Sequence, residues 1–317
     1  MSVCVVIPAY NSAPFIAAAL DSVLAQSHPV SEIIVVDDGS TDSTPQIVAG
    51  YPHVKWVSQD HRGPSAARNS GIRRALCEYV AFLDSDDLWQ PDKIEKQLAA
   101  LAAHPSAAFA FSTLAIFFSR DAREVSNQLY MPDELRAWLG ARSTEAGWAF
   151  GNVYSLLLRA NCVLTSSVLV RRSALLEAGL FDESLSHGED HELWLRLARR
   201  WPAVFITDVI AKYRIHSSSI SGRRENRQGI FYRATIDVLT QHHRRFPSFE
   251  AARALAAMYN NYAMFQIKER AFGEAKQLAG KSLRVAPTPS GFRLWIEAAF
   301  PKTYSHAVGL LRGGRNP

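Results

Sequence analysis

The first hundred residues alternate short apolar runs with segments of helical periodicity, and this alternation limits the possible folds more than any other feature. The apolar runs have the length of buried strands and lie at residues 3–7, 33–36, 54–57 and 79–83. Strands that alternate with helices are joined by right-handed crossovers and form a mostly parallel sheet. Because the runs are largely apolar, we expect helices to cover both faces of this sheet.

The rest of the chain predicts a mixed segment followed by helices. Strand-like runs lie at residues 109–118, 163–170, 204–206 and 209–213, and helical periodicity appears at 171–178 and 189–200. Beyond residue 222 three successive helices are predicted, at 230–246, 249–268 and 272–285. We therefore expect an α/β domain over residues 1–221 and a helical extension over residues 222–317. The last predicted helix has tetratricopeptide-like spacing, but a single such unit is weak evidence, and an ordinary helical hairpin is the favoured interpretation.

Composition and charge predict a cytoplasmic protein that is soluble or peripheral at a membrane. The sequence shows no signal peptide and no apolar stretch of membrane-spanning length. The net charge of +5 comes mostly from C-terminal arginines, which suits either a solvated surface or attraction to anionic headgroups or nucleotide diphosphates. Nucleic acid is not expected as a partner, because no basic block is interleaved with aromatic residues. Cys4, Cys77 and Cys162 are far apart in apolar segments, which predicts reduced core thiols and neither a disulfide nor a zinc site.

Acidic residues follow two of the predicted strands at the point where each strand ends. Residues 37–42 read Asp-Asp-Gly-Ser-Thr-Asp, and residues 84–87 read Asp-Ser-Asp-Asp. Ligands of open α/β sheets bind at the carboxyl ends of strands. Carboxylates crowded there repel one another unless a cation or a ligand hydroxyl lies between them. Asp38 is suited to a pyrimidine or ribose, and Asp84 with Asp86 to one Mg²⁺ or Mn²⁺ ion, although capping of the next helix is an alternative role for residues 37–42.

Two helix starts carry further candidate residues. Residues 63–69 (Gly-Pro-Ser-Ala-Ala-Arg-Asn) open a helix with small residues, which lets an anion approach beside Arg68. Residues 188–194 (Gly-Glu-Asp-His-Glu-Leu-Trp) place Asp190 in a first helical turn, where it could act as a general base, with Trp194 as an apolar platform for a sugar ring. The alternatives are an outward-facing Arg68 and acids that only complement the helix dipole.

Two common nucleotide-binding classes do not fit the sequence. Residues 8–11 (Pro-Ala-Tyr-Asn) follow the first strand, where a dinucleotide-binding protein needs a glycine-rich fingerprint. A phosphate-binding Walker sequence is also absent from the sequence.

Taken together, these segments resemble the inverting family 2 glycosyltransferases. The order Val-Val-Ile-Pro-Ala-Tyr-Asn, Val-Val-Asp-Asp-Gly-Ser-Thr-Asp, Ala-Arg-Asn, Asp-Ser-Asp-Asp and Gly-Glu-Asp is typical of that family, and the likeness covers residues 2–221. It implies a GT-A type α/β fold, with a mostly parallel sheet flanked by helices. Residues 1–105 would form the nucleotide-sugar-binding half and residues 106–221 the acceptor half. The helical C-terminal extension lies outside the likeness.

The resemblance also implies a role for each matched residue. Asp190 would be the catalytic base, and a divalent cation, Mn²⁺ or Mg²⁺, would be held by Asp86 and by His216, which follows the last predicted strand. Glu189 and Trp194 are expected near the acceptor. The remaining residues are expected to contact the nucleotide-sugar: Pro8, Tyr10, Asn11, Asp38, Arg68, Asp84 and Ser85.

The resemblance implies that a sugar is transferred, with inversion and with a divalent metal, from a nucleotide-diphosphate sugar to a hydroxyl of a glycan or lipid-linked acceptor. The expected process is cell-envelope polysaccharide synthesis.

Residues 292–302, with Phe292, Trp295 and Phe300 beside basic side chains, are a candidate membrane contact, although a packed terminal helix is the alternative. Two other functions stay open: a nucleotide-sugar-binding protein without turnover, and a sugar nucleotidyltransferase. The donor sugar, the nucleotide and the linkage do not follow from the sequence.

Overall fold

The computed structural model describes residues 1–118, 128–142, 147–216 and 227–301. The chain forms two compact units, Met1–Arg223 and Arg224–Pro317. The first unit begins with β1 (Val3–Ala9), α1 (Ile16–Leu24), β2 (Glu32–Asp37), α2 (Thr44–Val48), β3 (Val54–Ser58), α3 (Pro64–Arg74), β4 (Tyr79–Phe82), β5 (Leu88–Trp89) and α4 (Lys93–Ala103).

The first unit continues with a mixed set of elements. These are β6 (Phe109–Ser112), β7 (Leu114–Phe118), β8 (Gln128–Tyr130), α5 (Asp133–Gly140), β9 (Trp148–Gly151), α6 (Tyr154–Leu157), a 3₁₀ turn (Thr165–Ser167), β10 (Leu169–Arg171), α7 (Arg172–Ala178), α8 (Glu189–Arg200), β11 (Ala203–Ile206) and β12 (Ala211–Ile215).

Most strands of the first unit form one eight-stranded sheet in the order β3-β2-β1-β4-β10-β6-β11-β9. Strands β3, β2, β1 and β4 are parallel, and β10 runs antiparallel to both β4 and β6. A second sheet has the order β5-β12-β7-β8. The predicted fold class, an α/β protein with a mostly parallel sheet flanked by helices and followed by further helices, is confirmed.

The register of the sheet explains why the acidic segments meet. Ala9 pairs with Asp37, and Val6 pairs with Phe82, so β1, β2 and β4 end at the same edge. The strands themselves are held by apolar burial, since Val5, Ile7 and Ile34 are completely buried. Each buried aliphatic side chain of this size contributes about 1.5–3 kcal/mol. The apolar strands therefore bring polar residues that are far apart in the sequence to one rim.

Three predictions about the strands are wrong in part. Strand β3 lies at the edge of the sheet with Lys55 and Trp56 exposed, so helices do not cover both of its faces. Residues 109–118 form two strands in different sheets, β6 and β7, because the chain bends at Thr113. Residues 163–170 hold the 3₁₀ turn before β10, because their hydroxyl groups bond to partners outside any strand ladder.

The prediction for the cysteines is also wrong for two of the three. Cys4 and Cys77 form a disulfide, with their Cα atoms 5.6 Å apart. The reason is tertiary: Cys4 pairs with Val80 where β1 and β4 run side by side, which brings the start of β4 next to Cys4. Cys162 is a buried free thiol, and its burial raises its pKa to about 12.

The second unit is helical over its described residues, with α9 (Arg227–Arg245), α10 (Phe249–Lys268), α11 (Phe272–Val285) and α12 (Pro289–Ala299). The Ser282 hydroxyl donates to the Ala256 carbonyl at 3.0 Å and ties α11 to α10. Helix α12 packs through Leu294 and Ala298, whereas Phe292 is 57% exposed. Within the described residues, no helix is both long and apolar enough to cross a membrane.

Candidate active site

The turn after β1 is locked to the turn after β2. Asn11 has a positive φ of 48°, which asparagine tolerates better than most residues. Its side-chain Oδ1 accepts from the backbone amides of Thr41 at 2.8 Å and Asp42 at 3.3 Å. Its backbone amide donates to Ser40 Oγ at 2.9 Å. Asn11 therefore joins two loops at this edge of the sheet.

Asp38 is surrounded by donors from one short loop. Its Oδ1 accepts from Gln59 Nε2 at 2.7 Å and from the Arg62 amide at 3.0 Å. Its Oδ2 accepts from the Gly63 amide at 2.7 Å and lies 2.9 Å from His61 Nδ1. Four contacts use the acceptor positions of an ionised carboxylate. In this structure Asp38 shapes the loop at residues 59–63, so a nucleotide contact would have to displace Gln59 or His61.

An aromatic pair stands beside this loop. The Tyr10 and His61 rings stack with centroids 4.2 Å apart, and Tyr10 is 48% exposed. Pro8 lies in β1 just before Tyr10 and is half-buried. An exposed aromatic face at the carboxyl edge of a sheet is suited to stacking on a base. The predicted contact of Tyr10 with the nucleotide-sugar stays a prediction.

The acidic segment after β4 has three carboxylates with different surroundings. Asp87 is completely buried; its Oδ2 accepts from Ser166 Oγ at 2.5 Å and its Oδ1 from the Arg214 amide at 2.9 Å. Burial, followed by the charges of Asp86 and Asp84, raises the pKa of Asp87 well above its ordinary value. The side chains of Asp84 and Asp86 stay 29% and 28% exposed. Only these two can present oxygens to a ligand.

Ser85, between them, is held from the turn after β1. Its hydroxyl lies 2.7 Å from Ser12 Oγ. This contact ties residues 84–87 to the loop that carries Tyr10. The structure therefore brings Ser85 to the predicted donor side of the rim.

Asp86 and His216 are the residues that could hold a divalent cation. His216 Nε2 lies 3.0 Å from Asp86 Oδ2. Burial and the charge of Asp84 raise the pKa of Asp86, and the His216 ring partly offsets this rise. Crowded oxygen and imidazole ligands with unbalanced negative charge fit Mn²⁺ or Mg²⁺.

Arg68 has a different position from the one predicted. Its side chain is 6% exposed, with Nη2 2.7 Å from Asp84 Oδ1 and Nη1 2.9 Å from Glu189 Oε1. Burial alone would lower the pKa of Arg68, but Asp84 and Glu189 together raise it. Arg68 and Glu189 are thus paired with each other, and neither side chain is open to a ligand in this structure.

Asp190 lies next to this ion-pair network. It is half-buried in the first turn of α8, behind Gly188, whose φ of 76° starts the helix in a left-handed conformation. Its Oδ1 accepts from the His191 amide at 2.6 Å and its Oδ2 from Thr165 Oγ1 at 3.3 Å. Burial and then the charge of Glu189 raise the pKa of Asp190 to about 7, while Arg68 acts in the opposite direction. A carboxylate with this pKa is suited to proton transfer near neutral pH.

The prediction that Trp194 supports a sugar ring is wrong. Trp194 is completely buried and packs against the rings of Phe82, Phe109 and Phe181, with centroids about 6 Å apart. Residues four apart share a helix face, but Trp194 lies about 6 Å further along α8, where the helix is buried, whereas Asp190 is in the half-buried first turn. An acceptor could not reach its ring without unfolding this part of the core.

Several residues of the site were not predicted from the sequence. In the sequence Asp87 is only one member of the acidic segment, and nothing marks Arg214 as a contact of that segment. Thr165 and Ser166 lie in a run that resembles a strand, and short hydroxyl side chains carry no local signal of a buried contact. Only the fold shows that Ser166 meets Asp87 and that Thr165 meets Asp190.

The sequence matches the profile of the family described as Glycosyl transferase family 2 over residues 4–175. ExoO of Rhizobium meliloti, named a succinoglycan biosynthesis protein, is 31% identical over 325 residues, which cover 96% of this chain and 89% of that protein. TuaG of Bacillus subtilis, named for teichuronic acid biosynthesis, is 31% identical over 70% of this chain and 82% of its own length.

Two uncharacterized glycosyltransferases, from Rickettsia felis and Rickettsia conorii, are 32% identical over 216 residues. The chain spans about a third, 33%, of the length of these two relatives. The shared region is therefore one part of longer proteins.

Solved structures share the fold at low sequence identity. TarS residues 1–349 of S. aureus in complex with UDP-GlcNAc has a TM-score of 0.70 at 18% identity, covering 98% of this chain and 92% of that one. The mannosyltransferase PcManGT of Pyrobaculum calidifontis, in complex with GDP-Man and Mn²⁺, has a TM-score of 0.60 at 20% identity, covering 96% and 82%. The predicted GT-A type of fold is confirmed.

Proposed function

The chain belongs to glycosyltransferase family 2, and from this premise we propose that it transfers a sugar, with inversion and with a divalent cation, from a nucleotide-diphosphate sugar to an acceptor hydroxyl. The observation that carries the proposal is the Arg68 network. The buried guanidinium of Arg68 contacts both Asp84, a proposed nucleotide-sugar contact, and Glu189, the neighbour of Asp190. The proposed nucleotide-sugar site and the proposed base therefore adjoin one another. The UDP-GlcNAc and GDP-Man complexes of TarS and PcManGT support a nucleotide-sugar donor.

On the donor side, Tyr10 would stack on the base, and Asp38 would position the loop at residues 59–63 against it. Asp86 and His216 would hold the cation, which when bound offsets the negative charge of the leaving diphosphate. The Mn²⁺ in the PcManGT complex supports this cofactor class. Asp84 would contact the ribose or the cation, and its pairing with Arg68 keeps its carboxylate oriented.

On the acceptor side, Asp190 would remove the proton of the attacking hydroxyl. The oxygen then bonds to the anomeric carbon as the bond to the diphosphate oxygen breaks on the opposite face, which inverts the configuration. The raised pKa of Asp190 suits it for this step, because a base with a pKa near the working pH is both ionised and basic enough. General-base assistance of this kind contributes about 10²–10⁴ in rate.

The names of ExoO and TuaG, which refer to succinoglycan and teichuronic acid biosynthesis, support an acceptor in polysaccharide synthesis, either a glycan or a lipid-linked one. The charge of the second unit supports a peripheral contact with an anionic membrane. Residues 227–301 carry eleven Lys and Arg against five Asp and Glu. Phe292 and Phe300, on the exposed side of α12, are 57% and 56% exposed. Such a contact would place the enzyme next to a lipid-linked acceptor.

The decisive experiment is a donor screen with Mn²⁺ or Mg²⁺ that measures released nucleoside diphosphate. We expect Asp190→Asn to bind the donor as the wild type does and to lose transfer by a factor of about 10²–10⁴.

We expect Asp86→Ala to lose metal-dependent donor binding in calorimetry. Glu177→Gln, an exposed carboxylate outside the site, is the matched control and should keep full activity.

Each outcome also separates the proposal from its alternatives. Donor binding without any turnover by the wild type would indicate a nucleotide-sugar-binding protein. Release of pyrophosphate instead of nucleoside diphosphate would indicate a sugar nucleotidyltransferase. Wild-type turnover in Asp190→Asn would exclude Asp190 as the base.

A further inference from the structure

A single buried turn contacts both sides of the proposed site. The 3₁₀ turn Thr165–Ser167, here called the hydroxyl turn, carries three consecutive hydroxyl side chains that are 5%, 2% and 0% exposed. It lies between Leu164 and β10, and therefore in the second half of the first unit. Its side chains nevertheless bond to groups on the donor side, at residues 84–87, and on the base side, at Asp190.

Ser166 bridges two residues of the acidic segment. The Asp84 amide donates to Ser166 Oγ at 3.1 Å, and Ser166 Oγ donates to Asp87 Oδ2 at 2.5 Å. The other Asp87 oxygen accepts from the Arg214 amide, and Arg214 Nε donates to the Asp86 carbonyl at 2.6 Å. One hydroxyl thus connects the backbone of the acidic segment with β12, the strand that leads to His216.

Thr165 acts on the opposite side. Its Oγ1 donates to Asp190 Oδ2 at 3.3 Å, while the His191 amide holds Oδ1. Together the two donors determine the rotation of the carboxylate and therefore the direction in which its remaining lone pairs point. A general base must present a lone pair within hydrogen-bond reach of the proton that it removes.

The turn itself is anchored from behind by buried side chains. Trp89 Nε1 donates to the Ser166 carbonyl at 2.8 Å, and Gln97 Nε2 donates to the Ser167 carbonyl at 2.8 Å. Lys93, completely buried, donates to Gln97 Oε1 at 2.7 Å and lies over the Trp89 ring. A turn held in this way has little freedom to shift, so it can serve as a fixed reference for the groups on both sides.

We propose that Thr165 and Ser166 are positioning residues that set the placement of the Asp190 carboxylate relative to the donor-binding carboxylates. The inference rests on the proposed function, since it assigns Asp190 to the acceptor and Asp84 and Asp86 to the donor. Thr165 acts through Asp190 on the chemical step, and Ser166 acts through Asp84 and Asp87 on donor binding.

The two roles predict different kinetic effects. Thr165→Val keeps the shape of the side chain but removes the hydroxyl that donates to Asp190. We expect kcat to fall about 10- to 100-fold, the loss that is typical when a residue that orients a functional group is removed. The affinity for the nucleotide-sugar should be unchanged. Thr165→Ser restores the hydroxyl and should recover most of kcat. Ser166→Ala should instead weaken donor binding about 10- to 100-fold in calorimetry with Mn²⁺ and UDP.

Ser167→Ala is the matched control, because the Ser167 hydroxyl belongs to the same turn but donates to the Leu164 carbonyl at 2.8 Å. We expect Ser167→Ala to lower Tm about as much as Thr165→Val and Ser166→Ala do. Its kcat and its affinity for the nucleotide-sugar should stay near those of the wild type. The inference is overturned if Thr165→Val keeps wild-type kcat, if Thr165→Ser fails to recover it, or if Ser167→Ala reproduces both effects. An inactive wild type with intact UDP binding would contradict the proposed function instead, and the Ser166→Ala binding measurement would still test the donor side of the turn.

Discussion

Asp190 lies among groups that act on its proton in opposite directions. Burial and the negative charge of Glu189 favour the protonated acid, while Arg68 favours the carboxylate. The result, a pKa of about 7, leaves the group divided between its two forms near neutral pH. Both members of the ion pair between Arg68 and Glu189 therefore act on the pKa of Asp190, in opposite directions.

The first prediction at this scale is a pH dependence of turnover. Only the ionised Asp190 can accept a proton, and its pKa in the folded protein is raised, so kcat/KM should rise with pH, pass its midpoint near about 7 and then level off. Glu189→Gln removes the neighbouring negative charge and should move the midpoint to lower pH.

The measurement is kcat/KM at saturating metal between about pH 5.5 and about pH 9, which reports the ionisation of the free enzyme. The residual activity of Asp190→Asn should lack this inflection. A flat profile in the wild type, or a Glu189→Gln midpoint above that of the wild type, would contradict the assignment.

At the scale of elements, α8 carries Asp190, the proposed base, and contains a buried ion pair. Arg196 Nη2 lies 2.6 Å from Glu192 Oε2, and these side chains are 4% and 3% exposed. Arg196 also donates to the carbonyls of Ala178 and Leu180, where the chain leaves α7 through Gly179 with a φ of 96°. The ion pair thus determines where α8 begins relative to the preceding loop.

Removal of one partner of this pair should be costly. Arg196→Leu leaves Glu192 buried without its cation and two carbonyls without donors, so we expect the free energy of unfolding to fall by about 3–5 kcal/mol. Arg200→Leu, on the same helix, removes an exposed pair with Glu177 whose partners are 45% and 59% exposed, and should cost at most about 1 kcal/mol. Urea unfolding of both variants measures the difference, and equal losses would show that the Arg196 pair has no special role.

At the scale of the whole molecule, charge is distributed unevenly between the two units. Residues 224–317 contain fifteen Lys and Arg and six Asp and Glu, whereas residues 1–223 contain twenty and twenty-four. The two parts therefore carry net charges of +9 and −4, which add up to the net charge of +5. The negative charge of the first unit suits the proposed cation site, and the positive charge of the second unit suits the proposed contact with an anionic surface.

The corresponding prediction concerns vesicles. The protein should sediment with phosphatidylglycerol-containing vesicles and not with phosphatidylcholine vesicles, and high salt should release it, because attraction to headgroups is screened. Arg293→Glu, on the exposed side of α12, should weaken sedimentation, whereas Arg73→Glu, the same change on the first unit, should not. Equal binding to neutral vesicles, or equal effects of the two variants, would contradict a membrane contact through the second unit.

The order and type of most elements follow from the sequence, because helices and strands depend on local periodicity. Helix α8 at Glu189–Arg200 and helix α10 at Phe249–Lys268 have the bounds that their apolar spacing predicts. The acids at the ends of β2 and β4 also follow, since parallel strands place their carboxyl ends at one edge of the sheet. Local patterns were therefore enough to predict the fold class, the family and the edge of the sheet that carries the candidate residues.

Only the tertiary structure decided the partners at that rim. Arg68 reaches Glu189 across 121 residues, and His216 reaches Asp86 across 130 residues. The disulfide, the burial of Trp194 and the contacts of the hydroxyl turn likewise depend on which strands and helices become neighbours. The physical reason is that such contacts arise from the order of strands in the sheet and from packing between distant segments, and neither leaves a periodic signal in the local sequence.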